Sequence, residues 1–231
     1  SAGITIGEVP FSPQIIEDEN ILLAAKIWKI KYVDNKAKKI EVIPTKDGKK
    51  PTFYGGGADT HPRIREKMME ILYANVDYSF LDQKAKDEIM ILRKEFSVFD
   101  IQNLQTDRPL LIAERALQLF TFSGTRVNRT IQLLFIIAGI KYLLNDSSSS
   151  FELEITKNEF LSKWDLLVQT LENVEFHIAN QLQSYPALLD FSKWGVYLPE
   201  EYQVKLLKEK YYDIEQTKVL LKAIRIVENT Y

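Results

Sequence analysis

At 231 residues, with 45% hydrophobic and 27% charged residues and a net charge of −2, the chain has the composition of an ordinary globular protein of one large or two modest domains. Zero cysteines exclude disulfides, cysteine zinc sites and cysteine nucleophiles and fit a reducing, cytoplasmic compartment. Two histidines, His61 and His177, give no basis for a transition-metal site, so neither metal nor cofactor is expected.

The chain begins Ser1-Ala2-Gly3 with neither an initiator Met nor a signal peptide, as expected of a piece excised from a longer protein. Pro10, Pro13 and the acidic Glu17, Asp18 and Glu19 make a loop after a short strand at about 4–8. Residues 21–33 alternate as a strand, with Lys26, Trp28, Ile30 and Tyr32 on one side and Ile27, Lys29, Lys31 and Val33 on the other. Asp34-Asn35-Lys36 supplies a turn and residues 39–43 the return strand. Gly55-Gly56-Gly57 ends the sheet pattern, and Asp59 or Thr60 caps a helix carrying Ile64, Met68, Ile71 and Leu72 at helical spacing. A second helix over about 82–96 places Ala85, Ile89, Leu92 and Phe96 on one stripe, so the two form a helical hairpin.

Strands follow at 110–113 and 117–122, then a buried helix over 126–142, a serine loop at 147–150 and a strand at 151–155. The longest apolar run, 133–140, is far below the roughly 20 residues a membrane-spanning helix needs, so no membrane partner is expected. The remainder reads as helices at about 158–171, 174–185, 199–208 and 213–227, the last opened by Asp213 with Gln216 three residues on. The expected fold class is α+β, a small antiparallel β-barrel-like sheet packed with a mostly helical remainder. Its domains are a nucleic-acid-binding one over 1–156 and a helical subdomain over 157–231.

No G-x-x-x-x-G-K-[ST] loop, G-x-S-x-G elbow or H-E-x-x-H helix occurs, so no triphosphate, acyl or metalloprotease chemistry is expected of this chain. Glu152 and Glu154 alternate along a strand as a solvated face would. Residues 26–50 instead hold nine Lys against Asp34, Glu41 and Asp47, a local excess of six to which phosphates respond regardless of the overall charge. Lys29, Lys31, Lys38 and Lys39 are the candidate phosphate contacts, lysine reading the backbone as a point charge. Trp28 beside them either stacks on a base or joins Ile30 and Tyr32 in a core. At Ser123-Gly124-Thr125 a helix N-terminus with Arg126 and Arg129 one turn apart either binds a phosphate or is a capped helix with two surface arginines. Tyr197, Tyr202, Tyr211 and Tyr212, with the overall acidity, keep a protein-interaction module open as the alternative.

The segment ILLAAKIWKI with its return strand, IPTKDGKKPTFYGGG, HPRIREKM and the later LFTFSGTRVNRTIQLLFIIAG resemble the region beyond the ATPase core of Lhr-type (large helicase-related) superfamily 2 DEAD/DEAH-box helicases, over most of 5–145. The resemblance implies an accessory region that holds single-stranded or partly duplex nucleic acid while two upstream RecA-like domains use ATP. It implies contact roles for Trp28 in the first strand, Tyr54 before the glycine run, and Gly124 and Arg126 in the Gly-Arg turn. The expected function is therefore a noncatalytic C-terminal nucleic-acid-binding module of an ATP-dependent helicase, with no catalytic residues of its own.

Overall fold

In the computed structural model, which describes residues 4–8, 17–23, 26–34, 37–47, 59–113 and 116–229, the chain divides into two units, Ser1–Ala58 and Asp59–Tyr231. Among the described residues the architecture is α+β, with one three-stranded and one five-stranded sheet. The expected barrel is not formed. Closure needs the outer strands of a sheet to pair with each other, and in both sheets they pair only inward.

The first unit holds β1 (Asn20–Leu23), β2 (Lys26–Asp34) and β3 (Lys39–Pro44), antiparallel in that order. Alternation along β2 turns Trp28 and Ile30 to one face, where Ile30 is wholly buried and Ile21, Val33, Ile40 and Val42 join it in a small core. The register slips between Ile30 and Tyr32: Ile30 faces Val42 and Val33 faces Ile40, so three residues of β2 span two of β3. This bulge corrects the strict alternation expected from sequence. Val33 joins the core instead of Tyr32, which is 52% exposed. The turn after β2 is held by the Asp34 carboxylate, which accepts from the Ala37 backbone N–H at 2.8 Å. Residues 4–8 form no strand.

The second unit is built on a mixed sheet ordered β6-β7-β5-β4-β8: β4 (Asp107–Ile112), β5 (Leu117–Phe120), β6 (Tyr142–Asn145), β7 (Ser150–Leu153) and β8 (Arg225–Glu228). Helices cover both faces. Leu110 of β4 and Leu119 of β5 point to a core made with α3 (Thr125–Ile137), α4 (Lys157–Thr170) and α7 (Ile214–Ala223), whereas their neighbours Leu111 and Phe120 point to α1 (Pro62–Tyr73) and α2 (Gln83–Phe96). The hairpin of α1 and α2 closes through Tyr73, whose hydroxyl donates to the Phe96 carbonyl at 3.2 Å. The stripe expected on α2 is only half-buried and Leu92 is exposed. Outside α3, α5 (Val174–Ser184) and α6 (Glu200–Leu206), with the π-helical turn Leu207–Tyr211 that continues α6, enclose a further cluster around Leu133, Ile178 and Leu207.

Two strands depart from the helices expected in their place. The helix over 126–142 stops at Ile137, because Gly139 adopts a left-handed φ of 63° and turns the chain into β6. The last helix stops at Ala223, and 225–228 form β8 parallel to β4. The expected boundary at 156/157 thus falls inside the second unit, whose sheet is completed by residues from both sides of it.

Candidate nucleic-acid interface

The hairpin lysines belong to the first unit and the arginines to the second. On β2 and β3 the residues facing away from the small core include Ile27, Lys29, Lys31, Lys39, Glu41 and Ile43, with Tyr32 exposed at the bulge. Lys31, Lys38 and Lys39 are exposed and form no ion pair among the described residues. Lys38 has a φ of 51°, the left-handed conformation that turns the chain into β3.

Lys29 differs. Its ammonium lies 2.9 Å from the Asp18 carboxylate, and the hydrogen bond and charge of Asp18 push its pKa above the ordinary lysine value. The acidic segment 17–19 folds alongside β2, where the Glu17 carboxylate also accepts from the Val33 N–H at 3.1 Å. With Glu17, Asp18 and Glu19 counted, residues 17–50 hold nine lysines and six carboxylates in sequence, and the local excess falls from six to three.

Trp28 is half-buried against Ile21 and Ile30, and its indole N–H is spent on the Leu23 carbonyl at 3.0 Å. Tyr54 and the glycine run lie outside the described residues. Tyr32 is an exposed aromatic beside the lysines, whereas alternation alone places it on the side of Trp28 and Ile30. One signal was available: the apolar pair Ile40 and Val42 is spaced by two, but its partners Ile30 and Val33 are spaced by three.

At the Gly-Arg turn two helix starts meet. The Thr60 N–H donates to the Thr125 hydroxyl at 2.9 Å and the Thr125 N–H to the Thr60 carbonyl at 3.1 Å, joining the start of α3 to the segment before α1. A Cβ on Gly124 would stand 2.7 Å from Pro62 Cδ, so glycine is required for this approach. Behind it Thr121, Ser123, Asn128 and Ser149 form a buried hydrogen-bonded set, with the Thr121 hydroxyl donating to Asn128 Oδ1 at 2.7 Å.

Both arginines are committed within the fold. Arg126 Nη2 donates to the carbonyls of Glu209 (2.7 Å) and Tyr212, closing the π-helical turn whose carbonyls lack regular helical partners. Arg129 pairs with Asp59 at 2.8 Å and lies 4.4 Å from the centre of the Tyr211 ring. A groove of about 650 Å³ beside Arg126 is lined by Glu172, Glu175, Glu209, Asp213 and Glu215 against Arg126, Lys208 and Lys218, an environment that disfavours a phosphate.

Of the C-terminal tyrosines, Tyr197 and Tyr202 are exposed, Tyr211 is half-buried and Tyr212 is buried in the second core. Among the described residues, no cluster of three or more His, Asp or Glu could hold a metal ion, and no helix is long and apolar enough to cross a membrane. Compared with protein families, with curated proteins and with solved structures, the chain matches none.

Proposed function

We propose that the chain is a noncatalytic nucleic-acid-binding module, the C-terminal accessory region of an ATP-dependent Lhr-like DEAD/DEAH-box helicase, working in the cytoplasm with upstream RecA-like domains of the same chain. Its basic sheet holds the strand by its phosphates. The observation that carries this reading is the exposure of Lys31, Lys38 and Lys39, free of ion pairs among the described residues, beside the exposed ring of Tyr32. Three point charges and an aromatic face suit a single strand, since lysine contacts phosphates without reading sequence and a ring stacks on any base. Lys29 and Arg126, engaged elsewhere, serve as structural residues in this account.

Titrating fluorescent single-stranded DNA and RNA at several salt concentrations tests the reading. Three phosphate contacts predict a fall of log K with log salt of slope about −2, with no dependence on base sequence. An absence of binding at low salt would refute it.

A protein-interaction module is the second reading, favoured by the exposed Trp194 and Tyr197, 66% and 77% exposed with ring centres 6.2 Å apart.

A further inference from the structure

Arg108, at the start of β4, is 5% exposed and has no carboxylate within ion-pair distance among the described residues. Its Nε donates to the Thr121 carbonyl at 2.7 Å, and Nη1 donates to the carbonyls of Asp107 at 2.7 Å and Leu104 at 3.1 Å. A guanidinium carries five N–H donors, so both hydrogens of Nη2 are left without an acceptor among the described residues. The nearest compensating charges are spent: Asp107 is bound by Arg225, and Glu66 by Arg63. Burial pushes the Arg108 pKa down against the opposing charges of Glu66 and Asp107, yet arginine stays protonated in proteins, so the site keeps a buried positive charge to which no carboxylate is bonded among the described residues.

This charge lines a solvent-open cavity of about 470 Å³ bordered by α1, residues 104–105, the Phe122 to Val127 turn and α7. Phe122, Val127, Val219 and Leu220 give it apolar walls. At its rim Arg63 holds Glu66 at 3.1 Å and Glu70 at 2.8 Å, and Lys67 holds Glu70 from the other side at 2.8 Å, so the two rim carboxylates are already neutralised. The starts of α1 and α3 border the cavity with the positive ends of their dipoles, while the end of α7 at Ala223 brings a negative one, so Arg108 is the charge that selects an anion.

We propose that this cavity binds a small amphipathic anion, with its carboxylate or phosphate oxygen on Arg108 Nη2 and its apolar body against Phe122, Val127 and Leu220. The volume falls within the range of small-molecule sites. With Nε and Nη1 already occupied, the guanidinium offers a single nitrogen and not a two-pronged fork, so one terminal oxyanion is the group it recognises. The site is independent of the basic sheet.

The test uses the full chain, with octanoate, octyl phosphate, octanol and inorganic phosphate as probes, read by calorimetry and thermal melting. Octanoate or octyl phosphate is expected to bind saturably and raise the melting temperature, octanol at least about tenfold more weakly, and inorganic phosphate not at all. The preferred oxyanion is whichever of the two binds more tightly. Arg108→Met should weaken binding about tenfold or more. Because that change can also unfold the chain, Ala223→Trp at the exposed rim provides a second variant, expected to block the cavity with the melting temperature unchanged. Failure of both octanoate and octyl phosphate to bind, binding of inorganic phosphate alone, or unchanged affinity in Ala223→Trp would overturn the proposal.

Discussion

In the three-stranded sheet Lys31, Lys38 and Lys39 stand exposed without ion partners among the described residues, whereas in the larger unit Arg65, Arg126 and Arg129 are drawn into the packing. Arg65, 6% exposed, donates to the Ser147 carbonyl at 2.7 Å and ties α1 to the β6–β7 turn. Arginine's planar fork lets it satisfy several carbonyls at once inside a fold, while lysine's point charge stays hydrated at the surface. The two cation types therefore report different things, and a count of positive residues overstates the surface available to a polyanion.

The comparison breaks most visibly where the larger unit depends on its charges. Asp107, 1% exposed, binds Arg225 and accepts the N–H groups of Gln102 (2.8 Å) and Asn103 (2.9 Å), which fastens β8 to β4. The Arg225 guanidinium in particular holds its carboxyl well below the usual range. Asp107→Ala is expected to cost about 3 kcal/mol in a denaturant melt at neutral pH, by breaking the pair and leaving two N–H groups unpaired. A depressed folded pKa gives stability that is fully present above the unfolded value of about 3.9 and is lost as pH falls through the folded one. The gap between wild type and variant should therefore begin to narrow below about pH 4 and close only once the pH has fallen through the depressed folded value. A gap that persists there would mean that Asp107 acts by shape and not by charge.

Gly124→Ala comes next, at about 1 to 3 kcal/mol, since the added methyl meets the Pro62 ring. A neutral result would show that the two helix starts part easily. In the small sheet the expected effects are smaller and divide by function. Trp28→Ala should lower stability by about 2 kcal/mol, a partial form of the loss seen for a fully buried ring, whereas Tyr32→Ala should leave it within about 0.5 kcal/mol. In binding the order reverses, with Tyr32→Ala weakening a single strand by about 1 to 3 kcal/mol. Melting and binding measured on the same samples separate the two.

The sequence made the hairpin legible through alternation and turn residues, α1 and α2 through apolar spacing, and the start of α7 through its Asp213 cap, while α1 is capped by His61 and not by the expected Asp59 or Thr60. It did not make β8 legible, because Arg225-Ile226-Val227-Glu228 is short and becomes a strand only by pairing with β4, more than a hundred residues earlier. Local pattern carries no information on such a partner. The site was legible as charge but not as commitment. The Asp18 contact to Lys29 follows from how the acidic loop folds back, and Arg126 finds its acceptors in a π-helical turn about 80 residues away. The bulge that exposes Tyr32 was written only in the mismatch of apolar spacing between β2 and β3.

The most direct test of the contrast compares two charge-changing variants of the full chain for single-strand binding across a salt series. One carries Lys31→Glu, Lys38→Glu and Lys39→Glu; the other carries Arg126→Gln and Arg129→Gln. The lysine variant is expected to melt like wild type and to lose both affinity and salt slope. The arginine variant is expected to melt lower, because Glu209, Tyr212 and Asp59 lose their partners, while keeping the wild-type slope wherever it stays folded. Unchanged affinity and slope in the lysine variant, or loss of slope confined to the folded arginine variant, would contradict the account.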